Sequence, residues 1–138
     1  MILVDTGGVL AAVDPRQVNH QAAAAALRVR QVRILSPFVL AELDYMMSTR
    51  VSDAAAASLM DEVARGVYEL ATFTNRDVEA ASVIMRQYGN LHIGLTDASI
   101  MVLAERVNCH DVLTFDQRHF RAVRAWNGLP FRLLPLDL

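Results

Sequence analysis

Short apolar runs alternate along this chain with longer stretches whose apolar positions recur at helical spacing. Met1-Ile2-Leu3-Val4 is the first run, closing at Asp5 and Gly7-Gly8, and it predicts a buried strand followed by a turn. A helix is predicted from about Pro15 to Arg30, centred on Ala22–Ala26, and then a strand at Arg33-Ile34-Leu35. Ser36 before Pro37 reads as an N-cap followed by a first-turn proline, opening a helix to about Thr49. Ser52-Asp53 opens another, reaching Gly66. Val67–Phe73 predicts a strand, and Arg76–Tyr88 a helix stopped by Gly89-Asn90. Thr96 caps a helix from Asp97 to Val107, and Val112–Phe115 is a strand ending at Asp116. A helical turn near His119, a turn at Trp126-Asn127-Gly128 and a last strand at Phe131–Leu134 complete the pattern. Strands alternating with helices predict an α/β domain with a mostly parallel sheet.

With 138 residues, no linker, no repeat and no charge block, residues 1–138 are read as one domain. The single cysteine, Cys109, excludes an internal disulfide and a cysteine-based zinc cluster, and fits a reducing compartment. The N-terminal run reaches an acid at Asp5 without a basic segment, so no signal peptide is read, and no stretch has the length of a membrane span. A soluble, cytoplasmic protein is expected. All 13 basic residues are arginine, which closes every mechanism that needs a lysine, Schiff-base and P-loop chemistry included. A net charge of −2 does not suit a stand-alone DNA binder. The mean hydropathy of +0.27 points to apolar surface covered by a partner, although alanines contribute to it.

The acids carry the candidate chemistry. Asp5 and Asp116 fall at the carboxyl ends of predicted strands, where open parallel sheets bind their ligands. Glu42 and Asp97 fall in what the pattern gives as first turns of helices, where the dipole tolerates negative charge. If the four converge, they repel one another and call for a cation. Oxygen ligands without a supporting histidine or cysteine set favour magnesium or manganese over zinc. Such ions activate water for phosphodiester hydrolysis. Taken singly, each acid also has a structural reading. Asp5 and Asp116 serve as turn residues, Asp97 as a helix-opening acid, and Glu42 as a partnered acid in the apolar setting of Phe38–Leu43.

Four local sequences, in this order and spacing, resemble the motifs of PIN-domain ribonucleases, specifically the VapC-type toxins of bacterial toxin–antitoxin pairs. They are Met1-Ile2-Leu3-Val4-Asp5-Thr6, Ala41-Glu42-Leu43, Leu95-Thr96-Asp97-Ala98 and Leu113-Thr114-Phe115-Asp116-Gln117-Arg118-His119-Phe120. The resemblance spans the chain, and the Thr-Phe-Asp-x-x-x-Phe segment is its most telling piece. It implies a PIN-like three-layer fold, a five-stranded sheet with helices on both faces. Asp5, Glu42, Asp97 and Asp116 are implied as catalytic residues holding Mg2+ or Mn2+, and the activity as cleavage of transfer or ribosomal RNA. The implied partners are a cognate antitoxin of the VapB type, which blocks the cleft and provides the only contact with DNA, and a second copy of the chain. One departure stands out: the position two after the first aspartate is commonly Ser or Asn in this family and is Gly7 here. Thr6 and Thr114 are candidate substitutes for the missing hydroxyl, Ser99 a weaker one; the plainer reading makes Thr6 a turn cap and Thr114 an ordinary strand residue.

Arg118, Arg121 and Arg124 follow Asp116 at helical spacing, and Arg118 and Arg121 are the best candidates for RNA phosphate contacts. Arg28, Arg30 and Arg33 read as structural or surface residues. His119 reads as a surface or packing residue, and His20, His92 and His110 as structural. A haloacid-dehalogenase-like phosphatase and a receiver domain both fail for want of a lysine. The remaining alternative is a non-catalytic PIN scaffold that binds RNA or a protein.

Overall fold

A computed structural model describes all residues, 1–138. Its element order is β1 (Ile2–Val4), α1 (Thr6–Val13), α2 (His20–Arg28), β2 (Arg33–Leu35), α3 (Pro37–Arg50), α4 (Asp53–Ala64), β3 (Glu69–Leu70), α5 (Asn75–Gln87), α6 (Leu95–Val107), β4 (Asp111–Leu113), α7 (Gln117–Phe120) and β5 (Arg132–Leu134), with a 3-10 turn at Gly89–Leu91. The strands form one sheet in the order β3-β2-β1-β4-β5, and every neighbouring pair is parallel. Buried on both faces, the central strands are continuous apolar runs, with Ile2, Leu3, Val4, Val112 and Leu113 all out of contact with water.

The strand order steps to one side of β1 through β2 and β3, then jumps back to β4 and β5 on the other. Right-handed crossovers therefore put α1–α4 on one face and α5–α6 on the opposite face. The order reverses between β1 and β4, which makes the crevice beyond their carboxyl ends the natural ligand site. At that edge the ladder runs one residue past each strand: Asp5 N donates to Leu113 O at 3.1 Å and Thr114 N to Leu134 O at 3.1 Å. No helix is long and apolar enough to cross a membrane.

Three predicted elements change. The turn at Gly7-Gly8 is instead the first turn of α1, because Asp5 acts as its N-cap, its Oδ1 accepting from Thr6 N at 2.8 Å. Gly8 serves packing: a Cβ there would stand 2.3 Å from the main-chain oxygen of Leu113 in β4, so only glycine lets α1 lie this close to the sheet. The helix predicted from Pro15 begins only at His20. Asp14 and Pro15 close α1, and buried Asp14 ties the turn by accepting from Arg16 and Gln17. The strand at Val67–Phe73 shortens to Glu69–Leu70, an edge strand with a single neighbour. Ser36 and Ser52 cap α3 and α4 as predicted.

Candidate active site

The sheet edge and three helix starts bring the four acids to one place. Asp5 follows β1, and Asp116 follows β4 as the N-cap of α7. Asp97 lies in the first turn of α6. Glu42 is the sixth residue of α3 and so lies in its second turn, not in the first turn expected for it, although the helix starts at Pro37 as predicted. The mutual proximity is felt electrostatically: Asp97 and Asp116 both act on Asp5, and Asp116 and Glu42 both act on Asp97.

Hydroxyl groups hold this cluster in place. Thr114, buried at the end of β4, donates to Asp5 Oδ2 at 2.7 Å and accepts from Asp116 N at 3.0 Å, so one side chain sets two of the acids. Glu42 accepts from Thr6 Oγ1 in α1 and from Thr96 Oγ1 in α6, each at 2.8 Å. Thr6 and Thr114 are therefore the polar partners that their alternative reading supposed, beyond a turn cap and a strand residue. Thr96 does not cap α6; Gly94 holds that position, and the threonine hydroxyl is turned to Glu42. Behind them, Ser99 donates to Thr96 O at 2.6 Å, which leaves Ser36 Oγ to donate to Ser99 Oγ at 2.7 Å. This pair ties the end of β2 to the start of α6. Gly7 faces open space, and its missing side chain touches nothing.

His119 is the residue that sequence reasoning missed. Read as surface or packing, it is buried in the cluster. Its Nδ1 is 2.6 Å from Asp97 Oδ2 and 3.2 Å from Asp116 Oδ2, and its backbone N donates to Asp116 Oδ1 at 3.2 Å. Ligand atoms of Asp97, Asp116 and His119 all lie within 4.8 Å of one another, a group able to hold a metal ion. A histidine thus stands beside the acids that were expected to lack one. The available signal was the spacing of His119 three residues after an N-cap aspartate, which puts it over that cap on a single helical turn. Phe120 locks the turn: it is buried and meets the ring of Phe131 edge-on, centroids 5.9 Å apart.

Burial dominates the electrostatics. It pushes the Asp5 carboxyl up from 3.8 to about 6, reinforced by Asp97 and Asp116 and opposed by the bonds from Thr114 and Thr6. Asp97 is also raised, by burial first and by Asp116 and Glu42 after it, with His119 pulling the other way. The arginines divide. Arg121 is held in a two-pronged pair with Asp137, at 2.8 and 2.6 Å, whereas Arg118 on α7 is exposed and makes no ion pair. Arg33 is structural, donating to Leu27 O and Val67 O.

A parallel sheet in this order, with acids gathered at its switch point, is the PIN arrangement. The PIN domain model matches residues 2–125, and the chain belongs to the PIN domain family. Among its relatives is Ribonuclease VapC26 of Mycobacterium tuberculosis, 36% identical over 135 residues that span 97% of this chain and 100% of that one. Two solved structures share the fold. The first is M. tuberculosis VapC20, a Sarcin-Ricin loop cleaving toxin, with a TM-score of 0.78 at 20% identity over 84% of this chain and 90% of that one. The second is VapBC2 from Rickettsia felis, bound to a DNA fragment from its promoter, with a TM-score of 0.66 at 21% identity over 96% of this chain and 98% of that one.

Proposed function

We propose that this protein is a VapC-type endoribonuclease toxin, hydrolysing RNA phosphodiester bonds with Asp5, Glu42, Asp97 and Asp116 as its catalytic and metal-holding residues. The observation that carries the reading is the convergence of these carboxylates, each steered by a hydrogen bond, at the switch point of a PIN-family sheet. The near-complete match to a ribonuclease supports the same reading. The donor set fits a divalent cation such as Mg2+ or Mn2+: clustered carboxylates repel one another, and burial already makes Asp5 reluctant to ionise. When bound, such an ion supplies the positive charge that makes a water nucleophilic and stabilises the departing oxygen. The chain's own part is to hold the oxygens still. Thr114 fixes Asp5 and Asp116 together, and Thr6 and Thr96 fix Glu42, the most exposed of the acids, where it can orient the attacking water. Exposed Arg118 is the better phosphate contact of the two arginines, because Arg121 is already occupied.

The proposal includes a VapB-type antitoxin that covers the cleft and makes the DNA contacts, and a homodimeric toxin. The net charge of −2 suits a protein that leaves DNA to its partner. The test is incubation of antitoxin-free protein with total cellular RNA in Mg2+, Mn2+ or chelator, beside Asp97→Asn. Discrete, metal-dependent fragments that the variant does not produce are expected. A folded, metal-binding protein that cuts no RNA would overturn the enzyme in favour of a non-catalytic scaffold.

A further inference from the structure

We infer that His119 is a direct ligand of the metal, through Nδ1, and biases the site toward a first-row transition ion over Mg2+. The inference rests on the metal reading above and adds to it a nitrogen donor that an acidic tetrad does not contain.

Neighbouring ligands of an octahedral ion with bonds of ~2.1 Å stand about 3 Å apart. Nδ1 of His119 stands 2.6 Å from Asp97 Oδ2 and 3.2 Å from Asp116 Oδ2, a pair of spacings that brackets this edge. The same nitrogen therefore faces one oxygen from each acid. Its place is fixed from behind on two counts. The His119 main chain is bonded to Asp116 Oδ1, and the adjoining Phe120 is buried against Phe131. A histidine that served only to orient one carboxylate would need a single contact. Here one ring atom approaches both.

Nδ1 and Asp97 Oδ2 share a hydrogen bond of 2.6 Å, so the ring atom that would face the ion already points at a carboxylate oxygen. A histidine that holds a metal through Nδ1 would do so as the neutral ring with its single proton on Nε2. An imidazole nitrogen is a poor partner for Mg2+, which prefers oxygen and holds its waters tightly, and a better one for Mn2+ and the later ions of its row. The ring thus adds selectivity to a site whose carboxylates alone would accept either.

The experiment uses Mn2+ as the probe on full-length, tag-free protein prepared in chelator. Bound Mn2+ is examined by electron spin-echo modulation, and Mn2+ and Mg2+ affinities are measured by calorimetry on wild type, His119→Asn and His119→Ala. Nitrogen modulation is expected in the wild type and lost in both variants. The Mn2+-over-Mg2+ preference should fall by about tenfold or more in the variants, each checked for native thermal unfolding. Mn2+ bound without nitrogen modulation in the wild type overturns the inference while leaving the carboxylate site intact. No Mn2+ binding by the wild type overturns both. Because the spectrum is read on the wild type, a variant that fails to fold does not block the test.

Discussion

Asp5→Asn should make the metal-free protein more stable while removing its activity. The Asp5 carboxyl is raised from 3.8 to about 6, chiefly by burial, so the folded state holds that proton more tightly than the unfolded chain. Between those two values the native protein binds more protons, and stability falls as pH rises. The contribution is fully present below pH 3.8 and gone above about 6. At ~1.4 kcal/mol for each tenfold change in proton affinity, the ionised carboxylate destabilises the fold by about 3 kcal/mol at pH 8. That value already includes the bonds from Thr114 and Thr6 to the carboxylate; in the amide one oxygen still accepts from Thr6 N, and the Thr114 hydroxyl has to turn to accept from Nδ2. Asparagine has the shape of the protonated acid and no charge. Asp5→Asn should therefore unfold with ~2–3 kcal/mol more stability than wild type at pH 8, a rise in Tm on the order of 5–10 °C. The two proteins should converge near pH 4. Urea unfolding in chelator, at intervals from pH 4 to 8, gives the measurement. A variant that is less stable at pH 8, or a difference that does not change with pH, would refute the argument from burial.

Gly8→Ala should destabilise by about 2–4 kcal/mol, because its Cβ meets a main-chain oxygen that cannot swing away, whereas Gly7→Ala, facing open space, should fall within about 1 kcal/mol of wild type. Chemical denaturation of the two side by side tests the contrast. Arg118→Ala should weaken RNA binding and flatten its salt dependence, read by filter binding across a salt series. Arg121→Ala should lose only an exposed ion pair, at most ~1 kcal/mol of stability, and leave RNA affinity in place. Thr96→Val should free one oxygen of Glu42 and lower the cleavage rate by about tenfold without a matching loss of stability, seen by comparing initial rates with thermal melts.

The parts of the site legible in the sequence were those that depend on the chain's local grammar. Asp5 and Asp116 end apolar runs, Ser36 and Ser52 precede helices, and β2 falls where its apolar residues put it. What could not be read depends on contacts between distant segments. The start of α1 was hidden because Gly7-Gly8 has the local signature of a turn. Its use here, letting a helix approach β4, is set by a residue more than a hundred positions away. The threonines posed the same difficulty: Thr6 and Thr96 have their purpose in Glu42, from a third helix. His119 looked like any histidine on a polar turn until Asp97 was brought to it across 22 positions. Arg121 reads as a phosphate contact in the sequence because its partner, Asp137, arrives from the C-terminal segment.

The amide of Asp5 forms the last rung of the ladder between β1 and β4, and that of Thr114 the last between β4 and β5. Asp5 and the Thr114 that holds it thus take their coordinates from hydrogen-bonded main chain, whereas Glu42 and Asp97 take theirs from α3 and α6. Such a layout separates holding an acid in place from presenting a surface. Exposed side chains on α3 and α7, Tyr45 and Arg118 among them, take no part in that main-chain frame. A substitution at such a surface position would leave the carboxylate at the end of β1 where the ladder holds it.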